Sequence, residues 1–123
     1  MASSSGSLHE EGLAPTTVDR HRAIVSIMEE LEAVDWYDQR AEATHDAELA
    51  EVLAHNRDEE KEHAVMTLEW LRRNDPALDR MMRTYLFAEG DILAVEEKAE
   101  HSSGGIDDGG SLGIGSLRDG EAL

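Results

Sequence analysis

Cysteine is absent from the 123 residues. That removes disulfides, thiolate metal sites, iron–sulfur clusters and thiol nucleophiles from consideration. Basic residues are scarce as well: 11 Lys and Arg stand against 28 Asp and Glu, a formal charge of −17. The basic footprint of a nucleic-acid or anionic-membrane binder is therefore missing, and cations are the favoured ligands. No apolar run approaches the ~18 residues of a membrane span. The opening MASSSGSLHEEGLAP has neither a basic n-region nor an apolar h-region, so it does not read as a signal peptide. What remains reads as one acidic, soluble, cytosolic domain.

Composition divides the chain into three parts. Residues 1–15 are rich in Ser, Gly and Glu and read as a mobile N-terminal arm. Residues 101–123 are dominated by Gly and Ser and read as a flexible tail. Between them, residues 16–100 are rich in Ala, Leu, Glu and Arg, with only Pro76 and Gly90 as breakers, which is the composition of an all-α domain. Thr16 or Thr17 offers an N-cap for a first helix ending near Ala43. Its apolar positions Ile24, Ile27, Met28, Leu31 and Val34 keep helical spacing. Thr44-His45-Asp46 supplies a turn, and a second helix follows from about Ala47 to Arg73. Asn74-Asp75-Pro76 ends it and starts a third, with Asp75 as cap, running to about Glu89. A weaker helical piece covers Asp91–Glu100. An antiparallel helix pair has little interior of its own, so self-association into a four-helix bundle is the expected way to complete the core.

Ionisable groups occur where apolar ones belong. At about 100° per residue, Glu30 falls on the stripe Ala23–Ile27–Glu30–Val34–Tyr37, at the shoulder of the apolar face. On the second helix Glu60 and His63 fall mid-way across the arc of Leu49, Val52, Leu53, Trp70 and Leu71. A carboxylate and an imidazole there are costly unless paired or coordinated. If the chain turns near His45, Glu30 lies fifteen residues before the turn and Glu60 fifteen after it, so the two come level. Glu60-Lys61-Glu62-His63 places an oxygen and a nitrogen donor one turn apart, a set suited to iron or manganese, with zinc also open. A Glu-x-x-His step alone in an acidic helix usually marks a solvated face. The apolar flanks and the matching height of Glu30 set this one apart. Glu42-Ala43-Thr44-His45 repeats the step at the hairpin tip, but no carboxylate lies opposite it. Di-iron carboxylate bundles use one Glu plus one Glu-x-x-His twice. This chain carries that set once, and a two-fold dimer would supply the second.

The segments VDRHRAIVSIMEELEAVDWYDQR and EVLAHNRDEEKEHAVMTLEWLRRND resemble the encapsulated ferritins, bacterial ferritin-like ferroxidases housed in encapsulin nanocompartments. The resemblance covers roughly Val18 to Phe87 and again the tail. It implies a ferritin-like antiparallel two-helix hairpin with a shorter C-terminal helix, whose bundle is completed by dimerisation. It also implies a di-iron ferroxidase centre shared between two subunits, and five dimers closing into a homodecamer. By motif, the iron ligands fall on Glu30, Glu60 and His63. Trp36 and Tyr37 line the centre, with Tyr37 close to the metal. Glu29 and Glu32 match an outer pair that collects divalent cations, calcium among them, and passes metal inward.

In the tail, Leu112-Gly113-Ile114-Gly115-Ser116-Leu117 is a short apolar patch on a Gly/Ser linker. It resembles the peptide by which cargo docks on the inner wall of an encapsulin shell, within about residues 111–118. A flexible linker gives reach, and three aliphatic side chains fill shallow pockets. The reading this implies is a cytoplasmic enzyme inside an encapsulin compartment, oxidising Fe(II) with O₂ and delivering iron for mineral storage. Two others stand beside it: a non-catalytic acidic helical cargo scaffold, and another diiron or dimanganese oxidative enzyme, such as one reducing peroxide.

Overall fold

The computed structural model describes residues 6–106. These form four helices, α1 (Pro15–Ala43), α2 (Ala47–Arg73), α3 (Pro76–Tyr85) and α4 (Ile92–Ile106), with no strand among the described residues. The chain divides inside α3 into two units, Met1–Leu78 and Asp79–Leu123.

In the first unit α1 begins at Pro15, ahead of the threonine caps that composition suggests. Ala14 occupies the N-cap in an extended conformation and makes no side-chain cap bond. Proline has no N–H to lose and its φ is already helical, so the first helical position suits it. Between Gly6 and Ala14 the chain is not α-helical, yet the carbonyl of Gly6 lies 3.1 Å from Nε2 of His21, so this stretch reaches back to α1. α1 ends at the Thr44-His45-Asp46 turn, where Thr44 N–H donates to the Arg40 carbonyl at 3.1 Å. Asp46 then caps α2, its Oδ1 accepting from Leu49 N–H at 2.8 Å. Glu48 in the first turn and Arg72 and Arg73 in the last match the helix dipole.

The two long helices pack against each other along their length, and a three-residue connection makes them antiparallel. What they bury is small. Ala23, Ala64 and Leu71 are the buried apolar residues among those described, and no large side chain is fully enclosed. Alanines at the contact let the helix axes approach closely. The stripe expected to face inward on α2 is instead half open: Leu49, Val52 and Trp70 are exposed, and Met66 is 63% exposed. On α1, Ile24, Met28 and Leu31 are exposed as well. Two helices can cover only the line where they touch, so the rest of each apolar stripe stays uncovered. Arg57 crosses the hairpin, its Nη1 donating to Asp38 Oδ1 at 2.9 Å and its Nε to Asp58 at 3.0 Å. These carboxylates, Asp58 first and then Asp38, raise the guanidinium pKa above its ordinary value.

Near the end of α2, Glu69 accepts from Arg72 at 2.8 Å and from Arg73 at 2.7 Å. Those bonds, Arg72 first, lower its carboxyl from 4.5 to about 2. A depressed carboxyl stabilises the fold above its unfolded pKa, and that contribution is lost as pH falls from 4.5 towards about 2. The melting-temperature difference between wild type and Glu69→Gln should therefore shrink across that window. A difference that stays constant there would show that the bonds add nothing to stability.

Asp75 Oδ1 accepts from Leu78 N–H at 3.0 Å, capping α3 as its position predicts. In the second unit α3 stops at Tyr85 rather than near Glu89. Leu86 N–H still reaches the Met82 carbonyl at 2.8 Å, but Phe87 takes a φ of 63° and leaves the helical path. Gly90 follows at φ 91°, a conformation glycine adopts without strain. Asp91 is the cap of α4 rather than its first residue, its Oδ2 accepting from Ala94 N–H at 3.1 Å. α4 continues past Glu100 to Ile106, six residues into the segment that composition gives to the tail. Partial desolvation, then the charges of Glu96 and Glu100, push the Tyr85 phenol above its ordinary pKa. Phe87 is 100% exposed, with Met81, Leu86, Ile92 and Leu93 also on the surface.

Candidate metal centre

Glu30, on the middle turns of α1, is half-buried. Its Oε1 is shut off from solvent and accepts no hydrogen bond. A carboxylate oxygen desolvated without a partner is unfavourable, and a cation is the group that relieves it. Glu60 and His63 sit on α2, one turn apart. Glu60 is half-buried, with its side chain 28% exposed, and His63 Nδ1 lies 3.6 Å from Glu60 Oε1. That separation is too long for a hydrogen bond, yet it keeps an oxygen and a nitrogen donor side by side.

Two neighbours of this pair are missing from the sequence reading. Glu59 points one oxygen towards His63 Nε2 and the other towards His55 Nε2, each at 3.9 Å. Their signal is the four-residue spacing of His55, Glu59 and His63, which places them on one face of α2. Tyr37 is half-buried and Trp36 is exposed on the last turns of α1, where the Arg40 guanidinium lies over both rings. Glu29 and Glu32 are exposed on α1. The targeting segment read at Leu112, Gly113, Ile114, Gly115, Ser116 and Leu117 lies outside the described residues.

Among the described residues, no group of three or more His, Asp or Glu side chains within one chain is arranged to hold a metal ion. The structure brings Glu60 and His63 together as a pair and leaves Glu30 with an unsatisfied oxygen. Oxygen and imidazole donors of this kind suit iron or manganese by their chemistry. A hollow of about 540 Å³ runs between the helices, lined by Asp19, Arg22, Ala23, Ser26, Met66, Thr67 and Trp70. Ser26 is one turn before Glu30 and Thr67 one turn after His63, and none of Glu30, Glu60 and His63 lines the hollow. It is open and mostly apolar.

Comparison with known proteins gives a consistent result. A family model described as EncFtn-like matches residues 7–89. A Rhodospirillum rubrum protein named encapsulated ferritin-like protein is 60% identical over 134 residues, spanning 100% of this chain and 96% of that one. A Thermotoga maritima ferritin-like protein is 50% identical over 111 residues, covering 89% of this chain and 96% of its own length. A crystal structure of a Nitrosomonas europaea protein matches with a TM-score of 0.68 and 56% identity, over 71% of this chain and 97% of that one.

Proposed function

Since this chain belongs to the EncFtn-like family and has its ferritin-like helical fold, we propose that it oxidises Fe(II) to Fe(III) with O₂. The site is a di-iron centre that two copies of the chain complete between them. The observation that carries this reading is the buried, unbonded Oε1 of Glu30, on a hairpin whose apolar faces are left open. One copy contributes Glu30, Glu60 and His63, and a two-fold-related copy contributes the same three. The four resulting carboxylates are hard donors that stabilise Fe(III) over Fe(II) and so favour loss of the electron. Two Fe(II) ions give up one electron each, and O₂ takes both together with two protons. Trp36 and Tyr37 line the centre, while Glu29 and Glu32 gather Fe(II), calcium or other divalent cations outside it.

The dimers are proposed to close into a homodecamer, and residues 112–117 to dock the assembly on the inner wall of an encapsulin shell in the bacterial cytoplasm. The name of the Rhodospirillum rubrum relative, encapsulated ferritin-like protein, supports that placement. The shell would then receive the oxidised iron for mineral storage. Adding Fe(II) to the wild-type protein in aerated buffer, in an oxygen electrode, tests the core of the reading. Oxygen uptake several-fold above that of Fe(II) in buffer is expected; uptake equal to the buffer control would refute it.

A further inference from the structure

The end of α1 places one cation over two aromatic rings. Arg40 Cζ lies 5.6 Å from the Trp36 ring centroid and 5.8 Å from that of Tyr37. The spacing i, i+3 and i, i+4 on one helix makes this geometry intrinsic to the local chain. A shallow hollow of about 280 Å³ is lined by Trp36, Gln39 and Arg40. Gln39 is turned to Asp35, donating to its Oδ1 at 3.1 Å, and of the residues lining that hollow Arg40 is the cation that lies over the rings. A cation is attracted to the negative face of a neutral ring. It is repelled by the same ring once an electron has been removed.

We propose that Arg40 is a positioning residue that holds Trp36 and Tyr37 in place and makes them harder to oxidise. Its use to the protein rests on the reading of the neighbouring site as iron-oxidising, where oxygen-derived radicals would form within reach of both rings. Oxidation of Trp36 passes one electron from the indole to the oxidant and the indole N–H proton to water. The resulting radical then takes up dissolved O₂. Tyr37 passes one electron to the oxidant and its phenolic proton to water. Tryptophan carries a full positive charge before it loses its proton, so Arg40 protects Trp36 more strongly than Tyr37.

The test uses the full chain with a photogenerated one-electron oxidant in air and no iron, and counts oxygen added at each tryptophan by peptide mass spectrometry. Trp70, 41% exposed against 48% for Trp36 in the single chain, is the internal reference, and the samples are held at a concentration where light scattering shows wild type and variants in the same assembly state. Partial unfolding would expose both tryptophans and move their ratio towards that of a urea-unfolded sample, so each variant is compared with wild type at matched helicity by circular dichroism. In Arg40→Gln the ratio of Trp36 to Trp70 oxidation should rise roughly two- to fivefold over wild type, and Arg40→Lys should bring it back towards wild type. An unchanged ratio in Arg40→Gln overturns the proposal, and so does a lysine variant that behaves like the glutamine one. A second arm supplies Fe(II) and O₂ in place of the photo-oxidant. If wild type fails to oxidise iron there, the functional reading falls, while the iron-free arm still decides the role of Arg40.

Discussion

Replacing Glu30, Glu60 or His63 with alanine, one at a time, should lower the rate of Fe(II) oxidation by roughly 10- to 100-fold or more. Losing a residue that merely orients a metal ligand typically costs that much, and losing a donor costs at least as much. The three variants should differ in another property. Glu30→Ala removes an oxygen that is buried without a partner, so the metal-free protein should melt at a higher temperature than wild type while losing activity. His63→Ala removes a half-exposed ring paired loosely at 3.6 Å and should leave the metal-free melting temperature nearly unchanged. Absorbance of oxidised iron under air and thermal melts in chelator give both measurements. Wild-type oxidation rates in all three variants would remove these residues from the site. A lower melting temperature for Glu30→Ala would mean that its carboxylate is already satisfied without metal.

Introducing a charge on the uncovered apolar face should abolish association and activity together. Leu31 is 54% exposed on α1, in the stripe with Ile24 and Met28. Leu31→Arg would place an unpaired guanidinium in the surface proposed to be covered by a second hairpin. An unpaired charge buried at such an interface costs about 3 kcal/mol or more, which is a loss of roughly 100-fold or greater in affinity. Light scattering across a concentration series should show the variant dissociating where wild type remains assembled. Fe(II) oxidation should fall in parallel, because one chain's described residues place no three-donor group for a metal. A dissociated variant that still oxidises iron at the wild-type rate would separate the site from the interface and end the shared-centre reading.

The legibility of this chain differs from element to element. The ends of α2 are written in local chemistry: Asp46 bonds Leu49 N–H at its start, and Asn74-Asp75-Pro76 closes it. The end of α3 is not, because nothing about a phenylalanine announces a φ of 63°. That conformation depends on how the chain must turn between α3 and α4. The start of α1 falls between two reasonable signals, threonine caps and an N1 proline, and the proline wins because its φ suits the helix without any cap bond. For the site, periodicity alone selects Glu30, Glu60 and His63. It does not select Glu59 or His55, whose mutual approach is a matter of side-chain rotamers.

By itself, the sequence determined the helical class, the hairpin, and the placing of Glu30, Glu60 and His63, the proposed donors, on apolar stripes, because helical periodicity and capping act over only a few residues. Tertiary structure decided which groups are desolvated. It showed that the hairpin encloses just Ala23, Ala64 and Leu71 among its described apolar residues. It left Glu30 Oε1 without a partner. Burial and unsatisfied polarity depend on what neighbouring helices cover, and that quantity exists only once the chain has packed.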